Sequence, residues 1–397
     1  MHWLVGLFLI KIIASAAYGF LFTRLPGYAT NADTWRFFFA AVEEKQWLLQ
    51  KPVSWLADIY TPRYAQDAGM LGTHNSLLND LKDVLVVKLM TICNVLSGDR
   101  YYVNLIFFNY LFLFGQVALA LVWTKIFQLK NAGLMLVAVC LWPSVLFWSS
   151  GFHRDGILVH CIGWACWICY TIWETKRVLL RQVLLLGICL GFIFLFRNYI
   201  ALLLAGALLV GFAVNRWRSH AVMITSGSIA LAIVGLLLMG AINRAYSLPA
   251  VLAQRQAEFL LLEGVSKIPS ILLDGTWLQW AGQLPRAVAH AILVPPAFGP
   301  FKLKDLPFIF ENLLWLVSII PACMFLKKYT GSAAVVAFLA TAMLLSVAVL
   351  CIIGYTIPFV LAIVRYKTLL WPFMAPAVVY WLYHKLRQWV PVLRHNT

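Results

Sequence analysis

The chain alternates long apolar runs with short polar breaks. Runs at 3–22, 102–126, 134–148, 157–173, 183–196, 199–214, 221–242, 308–326, 333–353 and 368–383 approach the ~20 residues that a helix needs to cross a bilayer. The pattern predicts an all-α integral membrane protein with about ten transmembrane helices. A shorter apolar stretch at 84–96 carries Lys88 and is expected to form a juxtamembrane or re-entrant helix. The first run lacks the charged n-region and clean cleavage site of a signal peptide, so it reads as a retained first span. Lys11 inside it then faces other helices or snorkels.

Composition agrees. Of 397 residues, 62% are hydrophobic and 12% are charged, about half the charge of a soluble domain. The net charge of +16 follows from topology. Lys125 and Lys130, then Lys176, Arg177 and Arg181, then Arg216 and Arg218, then Lys327 and Lys328 occupy alternate connections, and Lys385, Arg387 and Arg394 follow the last span. The positive-inside rule puts these connections, and both termini, in the cytoplasm. No zinc finger, RNA-binding module or basic recognition helix is present, which excludes nucleic acid as a partner. The bilayer of the inner (plasma) membrane is the expected surrounding.

The remaining connections are then extracytoplasmic. Two are large insertions, 25–101 and 243–307, and both contain amphipathic juxtamembrane segments within a single membrane domain spanning 1–397. Of the 15 carboxylates, only Glu174 falls on the cytoplasmic side, so polar chemistry is concentrated outside. Most of the eight cysteines lie inside predicted spans. Cys166 and Cys169 form a CxxC on an apolar helix with no second pair, which reads as packing and not as a metal site.

Candidate chemistry sits in four stretches. In "YATNADTWRFFFAAVEEKQWLL" the pattern turns helical after Asp33, with Trp35, Phe38, Phe39 and Val42 on one face and Arg36, Glu43 and Glu44 elsewhere. Asp33 stands where a helix is capped, and can also act as a general base. "TPRYAQDAGMLGTHNSLLND" adds Asp67 and His74 as supporting groups, and "FWSSGFHRDG" adds His153, Arg154 and Asp155. "VRYKTLLWP" puts Arg365 and Tyr366 at the top of the last span. Arg154, Arg197, Arg244, Arg286 and Arg365 all lie on the face where arginine should be scarce. Anion binding accounts for them, because the guanidinium fork matches phosphate oxygens. The second insertion, with Phe259, Leu260, Trp277 and Trp280, is expected to lie in the interface plane.

The layout resembles bacterial GT-C-type polytopic glycosyltransferases that use polyprenyl-phosphate sugars. The resemblance rests on "NADTW" after the first span, a long first outer loop with amphipathic helices, and "VRYKTLLWP" at a proline-bearing last span. It implies inverting transfer of a sugar from a polyprenyl-phosphate carrier to a hydroxyl on a glycan or lipid acceptor. Asp33 is then the base and Arg365 a phosphate clamp, joined by Arg154, Arg197 and Tyr366. His153, Asp155, Arg244, Asp67 and His74 are supporting candidates. Many relatives carry adjacent acids where Thr34 follows Asp33 here, and no divalent metal or other cofactor is indicated. The donor is a substrate, and no nucleotide fingerprint is present. Two rivals are a polysaccharide polymerase or ligase using diphosphate-linked glycans, and a lipid or solute transporter. A transporter wants ionisable groups near the midplane and internal repeats, neither of which is evident. Asp33, Arg154 and Arg365 are expected to converge on one outward-facing cavity.

Overall fold

The computed structural model describes residues 2–24, 33–60, 77–263, 266–295 and 303–389. Among these residues the chain is all-α: no strand forms, and an isolated antiparallel bridge joins Lys267 and Phe359. The helices are α1 (His2–Arg24), α2 (Asp33–Gln50), α3 (Pro52–Ala57), α4 (Leu77–Ser97), α5 (Tyr101–Ile126) and α6 (Gly133–Cys140). Next come α7 (Pro143–Ser150), α8 (Arg154–Thr175), α9 (Leu180–Phe196), α10 (Asn198–Arg216), α11 (Ala221–Ile242) and α12 (Leu248–Leu260). Last are α13 (Trp277–Leu293), α14 (Leu306–Leu326), α15 (Ala333–Thr356), α16 (Val360–Lys367) and α17 (Trp371–Trp389).

Seven of these, α1, α5, α8, α10, α11, α14 and α15, are long and apolar enough to cross a membrane. This is the helix inventory of a membrane protein. α11 buries none of its residues against the rest of the described chain, although it is strongly apolar. Such a surface is tolerated in lipid and not in water.

The ten expected spans do not all take that form. The run at 134–148 breaks into α6 and α7, bent by 70°. Pro143 opens α7, and proline has no N–H to bond back to the previous turn, while its ring disfavours helical geometry in the residue before it. α9 has 17 residues, or about 25 Å of helix against a core of about 30 Å. The stretch at 84–96 is the C-terminal part of a longer helix, α4.

The chain divides into two compact units. Unit 1 comprises residues 1–119, 145–165 and 180–201. Its α5 and α8 cross at Gly115 and Gly163. A Cβ on Gly163 would collide with the Gly115 carbonyl, and one on Gly115 with the His160 backbone. Small residues at such a crossing let two backbones touch, which is where packing in lipid gains its energy. Gly163→Val is therefore expected to lower thermal stability by about 1–3 kcal/mol, the usual effect of overpacking. Unfolding in detergent, followed by circular dichroism, would measure it.

Unit 2 comprises residues 120–144, 166–179 and 202–397. Trp123 donates its indole N–H to the Pro372 carbonyl, and Phe127 packs on Tyr380 with ring centroids 4.1 Å apart. Thr341 on α15 bonds the Ala207 carbonyl of α10. None of the eight cysteines forms a disulfide, and Cys166 and Cys169 are buried.

Candidate functional site

In unit 1 the first turn of α2 is held by two neighbouring helices. Thr34 is fully buried, and its hydroxyl pairs with the Tyr101 hydroxyl at 2.8 Å. Trp35 stacks on the Tyr101 ring at 4.0 Å and donates its indole N–H to the Gly19 carbonyl at 3.2 Å. These contacts join α2 to α1 and α5 and fix where Asp33, its first residue, stands.

Further along, α2 is locked to α4. Lys88 bonds Glu44 at 3.1 Å and Asp58 at 3.3 Å, and Glu44 also accepts from the Trp55 indole at 2.9 Å. The Lys88 ammonium lies over the Trp47 and Trp55 rings. Burying these charges has a large desolvation cost, so the pairing sets register more than it adds stability. It corrects one sequence expectation. The packed face of α2 is Thr34, Phe37, Phe38, Ala41 and Glu44, whereas Phe39 is exposed. Glu44 faces inward because Lys88 and Trp55 satisfy it there.

That register brings Lys82 and Asp83 of α4 beside Asp33 and Arg36 of α2, and Arg154 arrives at the start of α8. Asp83 ties two arginines together: Arg36 Nη2 lies 3.1 Å from one carboxylate oxygen and Arg154 Nη2 lies 3.1 Å from the other. Both guanidinium groups also sit against the buried Phe37 ring, at 5.2 and 5.6 Å. Asp33 is flanked by the same two groups at longer range, 3.8 Å from Arg36 and 3.9 Å from Arg154. Its side chain keeps 30% exposure.

Lys82 completes the cluster. Burial, and then the charge of Arg154, lower its ammonium pKa, opposed by Asp83 and Asp33. Among the described residues three cations (Arg36, Lys82, Arg154) face two carboxylates (Asp33, Asp83). Arg154 Nε is buried and has no hydrogen-bond partner among the described residues. A buried donor left in that state is uncommon and asks for an acceptor.

The rest of "FWSSGFHRDG" is used differently. Asp155 is fully buried and pairs with Arg197 Nη2 at 2.8 Å, and His153 Nδ1 lies 3.4 Å from its other carboxylate oxygen. The Asp155 backbone N–H donates to that same nitrogen at 3.1 Å, so Nδ1 acts as an acceptor. His153 packs on Tyr18 and Trp148. This arrangement matches Arg197 to a carboxylate and anchors the start of α8.

Arg244, exposed on the turn before α12, and Arg365 with Tyr366, half-buried on α16, belong to unit 2. Asp67 and His74 lie outside the described residues. Arg36, Lys82, Asp83 and Phe37 are the members that sequence reasoning passed over. The i,i+3 spacing of Asp33 and Arg36 was a usable signal. Among the described residues no group of three or more His, Cys, Asp or Glu is placed to hold a metal ion.

In chemical terms the cluster offers a partly exposed carboxylate between two oriented guanidinium groups. That suits proton removal from a hydroxyl beside an anion. No family model, curated protein or solved structure matches the chain.

Proposed function

We infer that the protein is a membrane glycosyltransferase that moves a sugar from a polyprenyl-phosphate carrier to a hydroxyl acceptor on the extracytoplasmic face. The observation that carries this reading is Asp83 holding Arg36 and Arg154 on either side of Asp33. In the reaction the acceptor oxygen bonds to the anomeric carbon as the bond from that carbon to the phosphate oxygen breaks. Asp33 takes the acceptor proton, and the phosphate departs on its carrier. One displacement inverts the anomeric configuration.

Negative charge grows on the phosphate as the bond breaks. A preorganised donor aimed there stabilises the transition state more than the ground state. Arg154 is assigned that task because its Nε has no other partner among the described residues. Arg36 and Lys82 supply the surrounding positive field. The extracytoplasmic placement of the cluster follows from the basic connections in the sequence.

The test uses purified protein in liposomes, supplied with monophosphate-linked and diphosphate-linked glycan donors in parallel. Transfer from the monophosphate donor is expected. Arg154→Ala is expected to weaken donor binding roughly 10-fold or more, the loss of a hydrogen bond to a charged group. Arg154→Lys should recover part of it, since a point charge does not reproduce the fork. Consumption of the diphosphate-linked glycan alone would replace this reading with a polymerase or ligase.

A further inference from the structure

Unit 2 contains an open cavity of about 310 Å³ lined by α12, α13, the end of α15 and the extended segment 266–273. That volume is at the lower end of the ~300–1,000 Å³ of small-molecule sites. The walls are set by the sequence. Gln283, Arg286, Ala287 and His290 recur at helical spacing, so they share one face of α13. Ala287 lies so close to Gly354 that a Cβ there would meet its carbonyl, which closes the floor.

The extended segment is strapped at both ends. At one end Ile268 N–H bonds the Pro358 carbonyl at 2.8 Å and Val360 N–H bonds the Ser266 carbonyl at 2.9 Å. At the other, Gln256 of α12 uses its whole amide. It donates to the Ile271 and Tyr355 carbonyls and accepts from Leu273 N–H. Gln256 is therefore a fastener. Pro269 and Ser270, between the two attachments, form the cavity wall.

Among the described residues four more polar groups line the cavity: Arg286, His290, Gln283 and Ser270. Ser270 Oγ and His290 Nε2 are buried and have no hydrogen-bond partner among the described residues. Buried polar atoms in that state need an explanation, and a ligand is one. Their chemistry is specific. His290 donates a ring N–H to the Gly354 carbonyl, while burial, and then the charge of Arg286, hold its imidazole below the ordinary value. At neutral pH the ring is then uncharged, and Nε2 is an acceptor that wants a hydroxyl. Arg286 wants an oxyanion. Gln283 and Ser270 offer further donors, which suits the diverging oxygens of a phosphate better than a planar carboxylate.

We propose that this cavity binds a phosphate ester with neighbouring hydroxyls, taking the phosphate on Arg286, Gln283 and Ser270 and a hydroxyl on His290. The site lies wholly in unit 2, uses none of the residues assigned to sugar transfer, and does not rest on that assignment.

Glycerol phosphate carries this chemistry both as a free solute and as the headgroup of phosphatidylglycerol. In the first arm, full-length protein in neutral detergent is titrated with glycerol phosphate and followed by phosphorus NMR. Saturable binding is expected, weakened roughly 10- to 100-fold by Arg286→Gln and also weakened by His290→Phe. Arg255→Gln removes a guanidinium of the same unit that does not line the cavity, and should leave binding unchanged. Arg286 is exposed, so its replacement should not unfold the chain, and Arg286→Lys should keep part of the affinity. In the second arm, heat stability is compared in nanodiscs of phosphatidylglycerol and phosphatidylcholine. Stabilisation by phosphatidylglycerol that Arg286→Gln abolishes, without binding of the free ester, identifies the lipid headgroup as the source. No binding in either arm, or binding indifferent to Arg286→Gln and His290→Phe, overturns the proposal.

Discussion

Purified Asp33→Asn protein is expected to transfer sugar at least ~100-fold more slowly than the wild type, the low end of what a positioned acid–base group contributes. That is about 2.7 kcal/mol of barrier. Asparagine nearly matches aspartate in size, and both serve well at the start of a helix, so α2 should begin where it does now. The Thr34 and Trp35 contacts that hold its first turn do not involve the carboxylate. Asp83 continues to bridge Arg36 and Arg154, so both guanidinium groups keep their places. The lost property is the ability to take a proton.

Donor affinity should accordingly stay within a few-fold of wild type while turnover collapses. A merely structural role for Asp33 would change both, or neither. Asp83→Asn makes the contrast: it loosens two guanidinium groups at once and should weaken donor binding together with turnover. Near-normal turnover by Asp33→Asn would sink the catalytic assignment and leave Asp33 as a helix-starting residue.

How far the sequence could lead is clear from particular residues. Helix positions were legible because apolar runs of span length admit few other structures, and α1, α5, α8, α10, α11, α14 and α15 lie where those runs lie. Asp33 was legible because a polar residue before an amphipathic run marks a helix start, and α2 does start there. The bend at Pro143 was not, since the apolar pattern continues through it and hydropathy is blind to a missing N–H. Glu44 falls off the apolar face that the sequence pattern predicts for α2. Its burial depends on Lys88, 44 positions further on, and on Trp55.

The same limit applies to the cluster itself. Lys82 and Asp83 look like the polar start of an apolar helix, and only the packing of α2 on α4 gives them Arg36 and Arg154 as neighbours. Arg154 and Arg197 looked equivalent in sequence as outer arginines. They differ because Arg197 meets the buried Asp155 at 2.8 Å, while Arg154 retains a buried Nε without a hydrogen-bond partner among the described residues. Charge side and charge partner are separate facts, and the first alone is written in hydropathy and loop composition.

The largest expected loss of stability belongs to Lys367→Met in unit 2. Lys367 is 4% exposed, and its ammonium is a junction for three segments. It donates to the Val294 carbonyl at 2.7 Å, to the Asn312 side-chain oxygen of α14 at 2.9 Å, and to the Ile292 carbonyl at 3.4 Å. An ammonium has three donors and no acceptor, so the site is filled. Ile292 and Val294 lie at the C-terminal end of α13, where helix carbonyls lack partners and the helix dipole is negative. Lys367 thus supplies, from α16, the cap that α13 does not provide for itself. Methionine matches the length and apolar character of the lysine stem but leaves the Asn312 oxygen and the α13 carbonyls buried without a donor. Leaving a buried acceptor without its donor costs about 1–3 kcal/mol for each group, and this substitution strands three. The variant should unfold in detergent at a markedly lower temperature, or fail to accumulate. Adding Asn312→Leu to Lys367→Met should recover part of the loss, because removing both partners of a buried hydrogen bond is milder than removing one. The α13 carbonyls remain unpaired in the double variant, so recovery stays incomplete. Wild-type stability of the single variant, or equal losses from the single and double variants, would show that Lys367 is not the fastener of α13, α14 and α16.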